Sequence, residues 1–394
     1  MPSGTDRECA RSAVRRGCIL SSSKTLGILG GGQLAQMMAM AAKPLGVDCV
    51  VYDPSPDACA KSVAQLVNGS FDDARQLRSF AEQVDVITYE FENVPNETVD
   101  TLDGLRPIHP QPEALKVSSN RVKEKAFFER CGVPVGPYRA ISGPESLRNA
   151  RDELGLPAVL KSNSGGYDGK GQYTLHTDDE LENALAQIGD TPFIYESFVN
   201  FTRELSVIAC RTSDGTTITY PLAQNTHQHG ILVRSDAPAS VQKGMTEQAS
   251  AAAKRVGDSL NYVGVFAIEL FDVGGELLAN EMAPRVHNTG HWTIEGAHTS
   301  QFENHVRAVV GLPLGSTEPV GHSVMLNIIG EMPDPGILQG ISGATLHDYG
   351  KAPRPGRKIG HITVNGADPE TCLGAATRIQ TGIRNTMPGG GVRP

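Results

Sequence analysis

The chain is short of several things. No apolar run approaches the roughly 20 residues of a membrane span, so a transmembrane protein is not expected. The seven cysteines, Cys9, Cys18, Cys49, Cys59, Cys131, Cys210 and Cys372, are scattered and form no C-x-x-C pair. Neither a zinc knuckle nor a disulfide framework is suggested, and a reducing, cytoplasmic compartment is expected. Positive charge is in deficit: 35 Lys and Arg against 44 Asp and Glu leave a formal net charge of −9. With no long basic run to offset it, nonspecific nucleic-acid binding is not expected. An anionic ligand must then be held by local positive charge and glycine loops. G-x-x-x-x-G-K-[ST] is absent, which excludes a P-loop. Residues 1–23 carry several arginines but also Asp6 and Glu8, and lack a secretory apolar core. They read as a disordered N-terminal extension better than as a transit peptide.

What is present is enough for roughly two to four domains. From Thr25, the strand Leu26–Leu29, the glycine turn Gly30–Gly32 and a helix Gln33–Ala42 are followed by a strand from Asp48 to Asp53. Further strands at 63–67 and 84–88, with a helix at about 73–83 between them, imply a Rossmann-like parallel sheet with right-handed crossovers over 24–119. Gly30, Gly32 and Ala35, with Asp53 some 20 residues on, imitate a dinucleotide fingerprint. An NAD-binding oxidoreductase is therefore a competitor, although nothing downstream supplies a hydride-transfer site. Glu90 and Glu92 stand just past the fourth strand, at the sheet edge where open α/β sheets bind ligands.

From Asn120 the pattern changes to helix, strand, loop, strand, helix, strand, a compact α+β lobe over 120–200. Its centre is K-S-N-S-G-G-Y-D-G-K-G-Q, Lys161 to Gln172. Gly165, Gly166, Gly169 and Gly171 let the backbone approach a ligand, and Lys161 and Lys170 add positive charge. This reads as a flap over a polyphosphate, ordered only with nucleotide bound; the alternative is an idle glycine-rich hairpin. Residues 201–394 begin with a strand, Arg203–Arg211, and its hairpin partner at 216–222. His227 and His229 resemble a metal pair, but a polar loop over 224–230 is the commoner explanation.

Two apolar strands then meet at Gly274-Gly275, a hairpin signal. A three-residue loop sets Glu269 opposite Glu281, whereas a two-residue loop sets it opposite Asn280. Facing carboxylates in an apolar hairpin repel unless a cation lies between them, and hard oxygen ligands favour Mg²⁺. The segment Arg285-Val-His287-Asn288-Thr-Gly-His291-Trp292, with the only Trp, suits a binding loop. Lys351, Arg354, Arg357 and Lys358 concentrate positive charge near the C-terminus, fit for a phosphate or carboxylate.

The flap G-G-Y-D-G-K-G-Q, N-T-H-Q-H-G-I-L, N-E-M-A-P-R-V-H-N-T-G-H-W-T and R-P-G-R-K-I-G-H, in that order, resemble the ATP-grasp superfamily. Within it they resemble the 5-(carboxyamino)imidazole ribonucleotide synthetases of purine biosynthesis. The resemblance runs from about Thr25 to the tail. It implies an ATP-grasp fold: the Rossmann-like domain, the small flap-bearing lobe, and a C-terminal mixed α/β domain. The implied reaction joins ATP, bicarbonate and 5-aminoimidazole ribonucleotide into the N-carboxylated ribonucleotide, with ADP and phosphate released via carboxyphosphate.

Carried over by position, Arg121, Lys161 and the flap from Gly165 to Gly171, with Tyr167, Asp168 and Lys170, hold ATP. Glu196, Ser197, Phe198, Val199 and Glu204 serve adenine and ribose, and His227, Asn280 and Glu281 complete the nucleotide site. Glu269 and Glu281 hold Mg²⁺, or Mn²⁺ in its place. Arg285 faces the bicarbonate and, with Asp168 and Lys351, is assigned to catalysis. The ribonucleotide falls to Gly32, Gln33, Glu90, Tyr167, Asp168, Arg285, His287, Asn288, Lys351, Arg357 and Lys358. A homodimer and a separate mutase acting on the product are implied as well. Two departures stand out: Ala283 replaces an asparagine common in the superfamily, and Lys170 replaces a frequent arginine, which keeps charge but loses bidentate geometry. Competing readings are a formate-dependent phosphoribosylglycinamide transformylase and a catalytically silent nucleotide-binding protein.

Overall fold

The computed structural model describes residues 24–165, 171–188 and 192–385. The expectations for 1–23 and for Gly166, Tyr167, Asp168, Gly169 and Lys170 lie outside the described residues. Three sheets organise the rest. The first is wholly parallel, with strands β1 (Thr25–Leu29), β2 (Asp48–Asp53), β3 (Gln65–Asn68) and β4 (Val86–Tyr89) in the order β3-β2-β1-β4. Leu26, Ile28 and Leu29 are fully buried because helices cover both faces. The third strand starts two residues later than the sequence suggests, because residues 59–62 form a 3-10 turn. Helix Gln33–Ala42 buries Leu34, Ala35, Met37 and Met38 and packs against the helix Gln301–Val310, which docks this sheet onto the C-terminal half.

The small lobe holds β5 (Tyr138–Ile141), β6 (Ala158–Ser162), β7 (Gln172–Leu175) and β8 (Phe193–Ser197), antiparallel in the order β5-β8-β6-β7. Its approach is helix Arg121–Arg130. The Asn120 side chain caps that helix by accepting from the Lys123 N–H at 3.0 Å. Asn163, just past β6, accepts from the Arg121 and Val122 N–H groups at 2.9 and 3.0 Å. The helix start and the foot of the flap are thereby tied together.

The third sheet is antiparallel. It comprises β9 (Arg203–Arg211), β10 (Thr217–Thr219), β11 (Ala223–Gln228), β12 (Ile231–Ala237), β13 (Gly264–Val273), β14 (Glu276–Ala283), β15 (His322–Ile329), β16 (Ala344–Asp348) and β17 (Lys358–Gly366). The path is β14-β13-β9-β11-β12-β15-β17-β16, with β10 beside β9. One sheet thus runs unbroken from the β13–β14 hairpin to the basic C-terminal loop. The segment read as a polar loop at 224–230 is instead strand β11, with only His229 and Gly230 in the turn at φ +51° and +75°. Pairing with β9 and β12 supplies its backbone partners and overrides its polar composition.

The Gly274-Gly275 turn has two residues at φ +62° and +97°, and pairs Val273 with Glu276. That alone would oppose Glu269 to Asn280. A β-bulge between Glu269 and Leu270 shifts the register, so that Glu269 faces Glu281 after all. The loop length and the carboxylate pairing, alternatives in the sequence, are reconciled by one extra residue, Asn280.

The Asn120 cap gives a stability prediction. Asn120→Ala should remove about 1 kcal/mol, seen as a lower urea midpoint at unchanged slope.

Candidate active site

A cleft of about 650 Å³ opens where the three sheets meet. Gln33 and Glu90 come from the parallel-sheet domain, Arg121, Lys161, Gly165, Glu196, Ser197, Phe198 and Val199 from the small lobe, and Glu204, His227, Glu269, Asn280, Glu281, Arg285, His287, Asn288 and Lys358 from the large sheet. All were expected from the sequence. Gly32, Gly171, Lys351 and Arg357 are not part of the lining. Arg357 donates to the Ala352 carbonyl at 3.2 Å, and Lys351 donates to the amide oxygen of Gln33, a residue of the lining.

Cations from the small lobe and carboxylates from the hairpin interlock. Lys161 Nζ lies 2.6 Å from Glu196 Oε2 and 3.4 Å from Asn280 Oδ1. Lys125 Nζ reaches Glu196 Oε1 at 3.5 Å and the Ala279 carbonyl at 3.3 Å. Burial raises the Glu196 carboxyl, but the two ammonium groups outweigh it and hold it down at about 2. The Glu196 side chain therefore fixes lysines here and does not present a free acceptor for ribose. The ring walls come from Phe201 and Phe271, stacked 4.5 Å apart at 6°, with Val159, Phe198 and Met282 beside them.

At the hairpin, Glu281 Oε2 accepts from Arg121 Nη1 at 2.8 Å. Burial opposes its ionisation, yet Arg121 keeps it below the usual carboxylate range. Glu269 fares differently: burial first, and the Glu281 charge second, push it up to about 7 against the opposing pull of His227 and Lys358. His227 Nδ1 pairs with Glu204. Burial depresses that imidazole, but the Glu204 bond and the Glu269 charge raise it above its ordinary value. Behind the pair, Glu124 accepts the Met282 N–H at 2.7 Å, and burial and Glu281 lift it to about 8. Among the described residues no three His, Cys, Asp or Glu side chains converge as a complete metal site. Two facing carboxylates offer hard oxygen donors, the kind that Mg²⁺ takes together with phosphate oxygens and water.

The Arg285 loop divides in two. Arg285 Nη2 is 2.5 Å from Glu92 Oε2, across the junction of the two domains. His287 Nε2 stands 3.7 Å from Glu269 and its Nδ1 is 2.9 Å from Thr289 Oγ1, while burial holds its pKa well below normal. His291 and Trp292 are buried at 1% and 0% exposure. They belong to the core, contrary to the reading of the whole segment as a binding loop.

The glycine turn does not hold a dinucleotide. Glu90 accepts from the N–H groups of Gly32 at 2.6 Å and of Leu34 and Ala35 at 3.2 Å, and Asp53 accepts from Gly31 at 2.7 Å. The helix N-terminus that would receive a pyrophosphate is filled by the chain's own carboxylates. A Cβ on Gly32 would come within 2.5 Å of Glu90, so glycine serves this internal contact. Two residues beside the cleft had no role from the sequence. Glu124 and Lys125, 2% and 3% exposed, lie in the helix Arg121–Arg130. Glu92 was marked as a carboxylate of the strand end, but its partner Arg285 is distant in sequence.

Family models match in register with this architecture: a ribonucleotide synthetase preATP-grasp domain over residues 23–119, an ATP-grasp domain over 126–302, and a phosphoribosylaminoimidazole carboxylase C-terminal domain over 323–374. The N5-carboxyaminoimidazole ribonucleotide synthase of Pseudomonas aeruginosa is 47% identical over 346 residues, covering 88% of this chain and 96% of that protein. The chain belongs to the N5-carboxyaminoimidazole ribonucleotide synthase family. The Bacillus subtilis synthase is 41% identical over 353 residues, covering 88% and 92%. Among solved structures, the Thermus thermophilus synthetase superposes with a TM-score of 0.87 at 48% identity, covering 91% and 98%. The Aspergillus clavatus synthase, in complex with ADP and 5-aminoimidazole ribonucleotide, gives 0.83 at 32%, covering 91% and 97%.

The raised Glu269 carboxyl has a stability consequence. Its folded pKa of about 7 lies above the unfolded value, so the stability tied to its proton is full below about pH 4 and is lost as pH rises through 7. Glu269→Gln should therefore stabilise the ligand-free protein at pH 8, on the order of 1 kcal/mol, with the gain vanishing at pH 4. Thermal melts at both pH values check this.

Proposed function

We infer that this chain is an ATP-dependent ligase that carboxylates 5-aminoimidazole ribonucleotide with bicarbonate, forming a carbon–nitrogen bond in purine biosynthesis. The observation that carries the reading is the single cleft in which Lys161, the Glu269–Glu281 pair and the Arg285–His287–Asn288 loop meet. Bicarbonate is a weak electrophile. Its oxygen attacks the γ-phosphorus of ATP, ADP leaves, and the carboxyphosphate formed delivers its carbon to the exocyclic amine as phosphate departs. Catalysis of this kind is positioning, charge neutralisation and exclusion of water.

The roles follow the geometry. Lys161 and Arg121 meet ATP phosphates, with Glu196 and Asn280 fixing the lysine. Ser197, Phe198 and Val199 border the adenine against Phe271, and Glu204 with His227 lies toward the ribose. Glu269 and Glu281 suit Mg²⁺: their oxygens are hard donors, and the mutual repulsion that lifts Glu269 is what a dication removes. Bound there with ATP, Mg²⁺ would supply electrostatic neutralisation of the phosphates. Because Ala283 brings no side-chain oxygen, the remaining ligands fall to phosphate and water. Arg285 faces the bicarbonate, and its Glu92 bond keeps the guanidinium in one orientation. Gln33, His287, Asn288, Lys351 and Lys358 bound the ribonucleotide. Glu90 contributes by holding the Gly32 turn and Gln33 in shape, not as a free acceptor. A homodimer, a cytoplasmic setting and a separate mutase for the product belong to the same reading. Among the described residues, the five cysteines are unpaired, and no helix is long and apolar enough to cross a membrane.

ADP release measured with ATP, bicarbonate and 5-aminoimidazole ribonucleotide should collapse when either co-substrate is omitted. Turnover with glycinamide ribonucleotide and formate instead would overturn the assignment. Glu281→Ala should reduce turnover by about two orders of magnitude or more, while circular dichroism shows the fold retained.

A further inference from the structure

Behind the basic loop lies a buried polar cluster that the reaction, as described, does not use. His347 and His361 are cross-strand partners on β16 and β17, and their rings stack 4.3 Å apart at 8°. His347 Nε2 is 2.7 Å from Glu295 Oε1, and the His291 ring lies 5.0 Å from that of His361. His361 is 0% exposed. Its Nδ1 is 2.8 Å from the hydroxyl of Tyr349, itself 3% exposed. The ring of Tyr349 in turn lies 5.8 Å beneath the Lys351 ammonium, which also bonds Gln33 of the cleft wall.

We propose that His361 is a positioning residue for the carboxylation: through the Tyr349 hydroxyl it fixes the ring that carries the Lys351 ammonium against Gln33. The geometry supports a relay of position. A single residue, Gly350, separates Tyr349 from Lys351, and it adopts φ +69°. The loop would otherwise be free to rotate about that glycine. The Tyr349 N–H donates to the Ile359 carbonyl at 3.0 Å, which fixes the backbone. The hydroxyl bond to His361 fixes the other end of the side chain. A phenol held at backbone and tip is a rigid platform for a flexible lysine. Lys351 then reaches the ribonucleotide from a set point and not from an ensemble. Burial and the neighbouring His291 and His347 keep His361 neutral, so it holds one bonding pattern throughout the working pH range.

The inference rests on the reading of Lys351 as a ribonucleotide contact, and the test separates the two. Steady-state ADP release by the full chain is measured while ATP and 5-aminoimidazole ribonucleotide are varied in turn. Tyr349→Phe and His361→Leu should each raise KM for the ribonucleotide about tenfold, with KM for ATP held within about twofold. His361→Asn, which returns a polar group near Nδ1, should recover most of the loss. The double variant Tyr349→Phe/His361→Leu should be no worse than either single variant, because both remove one contact. Additive losses, or an equal rise in KM for ATP, would overturn the proposal. Should His361→Leu fail to fold, a Tyr349→Phe enzyme with unchanged KM values overturns it as well. A wild-type KM in Lys351→Met would instead remove the underlying reading of Lys351.

Discussion

Two carboxylates face each other inside a mostly apolar hairpin, and the rest of the cleft is arranged around that repulsion. Glu269 and Glu281 are opposed because a bulge at Asn280 corrects the register set by the Gly274-Gly275 turn. The neighbouring groups divide the charge unequally. Arg121 takes Glu281, and Glu269 is left with a proton near neutrality. On the proposed function, a cation bound between the two carboxylates would relieve that imbalance. Burial makes that imbalance matter, since like charges in low dielectric repel far more than in water.

The domains contribute complementary charge. The small lobe brings Lys161, tethered through Glu196 to Lys125, so its ammonium is held in place at the cleft and does not have to be recruited. The parallel-sheet domain brings carboxylates, and uses one of them, Glu90, to close its own helix N-terminus. That choice turns a dinucleotide-like turn into a wall for a different ligand. The other, Glu92, crosses to Arg285 and ties that domain to the hairpin side of the site.

Much of this was legible in the residues. The helix Gln33–Ala42 and the strand Asp48–Asp53 have the bounds that the residues suggest. The glycine pair located the hairpin, while the partner of Glu269, either Glu281 or Asn280, stayed open until the bulge decided it. Sequence reasoning failed where tertiary contact overrides local signal. The polar stretch around His227 is a strand because β9 and β12 flank it. Glu124 and Lys125 were given no role, since their partners Met282 and Glu196 lie 71 or more positions away along the chain and no periodicity announces them. Trp292 looked like a recognition residue but fills the core, where its ring meets Tyr220 at 88°. The bulge had no local signature at all. It is visible only once both strand ends are paired.

The central claim is that Glu269 carries a proton which a metal–nucleotide complex displaces. Calorimetric titration of Mg²⁺–ADP at pH 7, in buffers of different ionisation enthalpy, reads that proton directly. The account predicts release of about half a proton or more per site, shrinking at pH 9 and in Glu269→Gln. A heat independent of buffer at pH 7, or a release unchanged by Glu269→Gln, would contradict it.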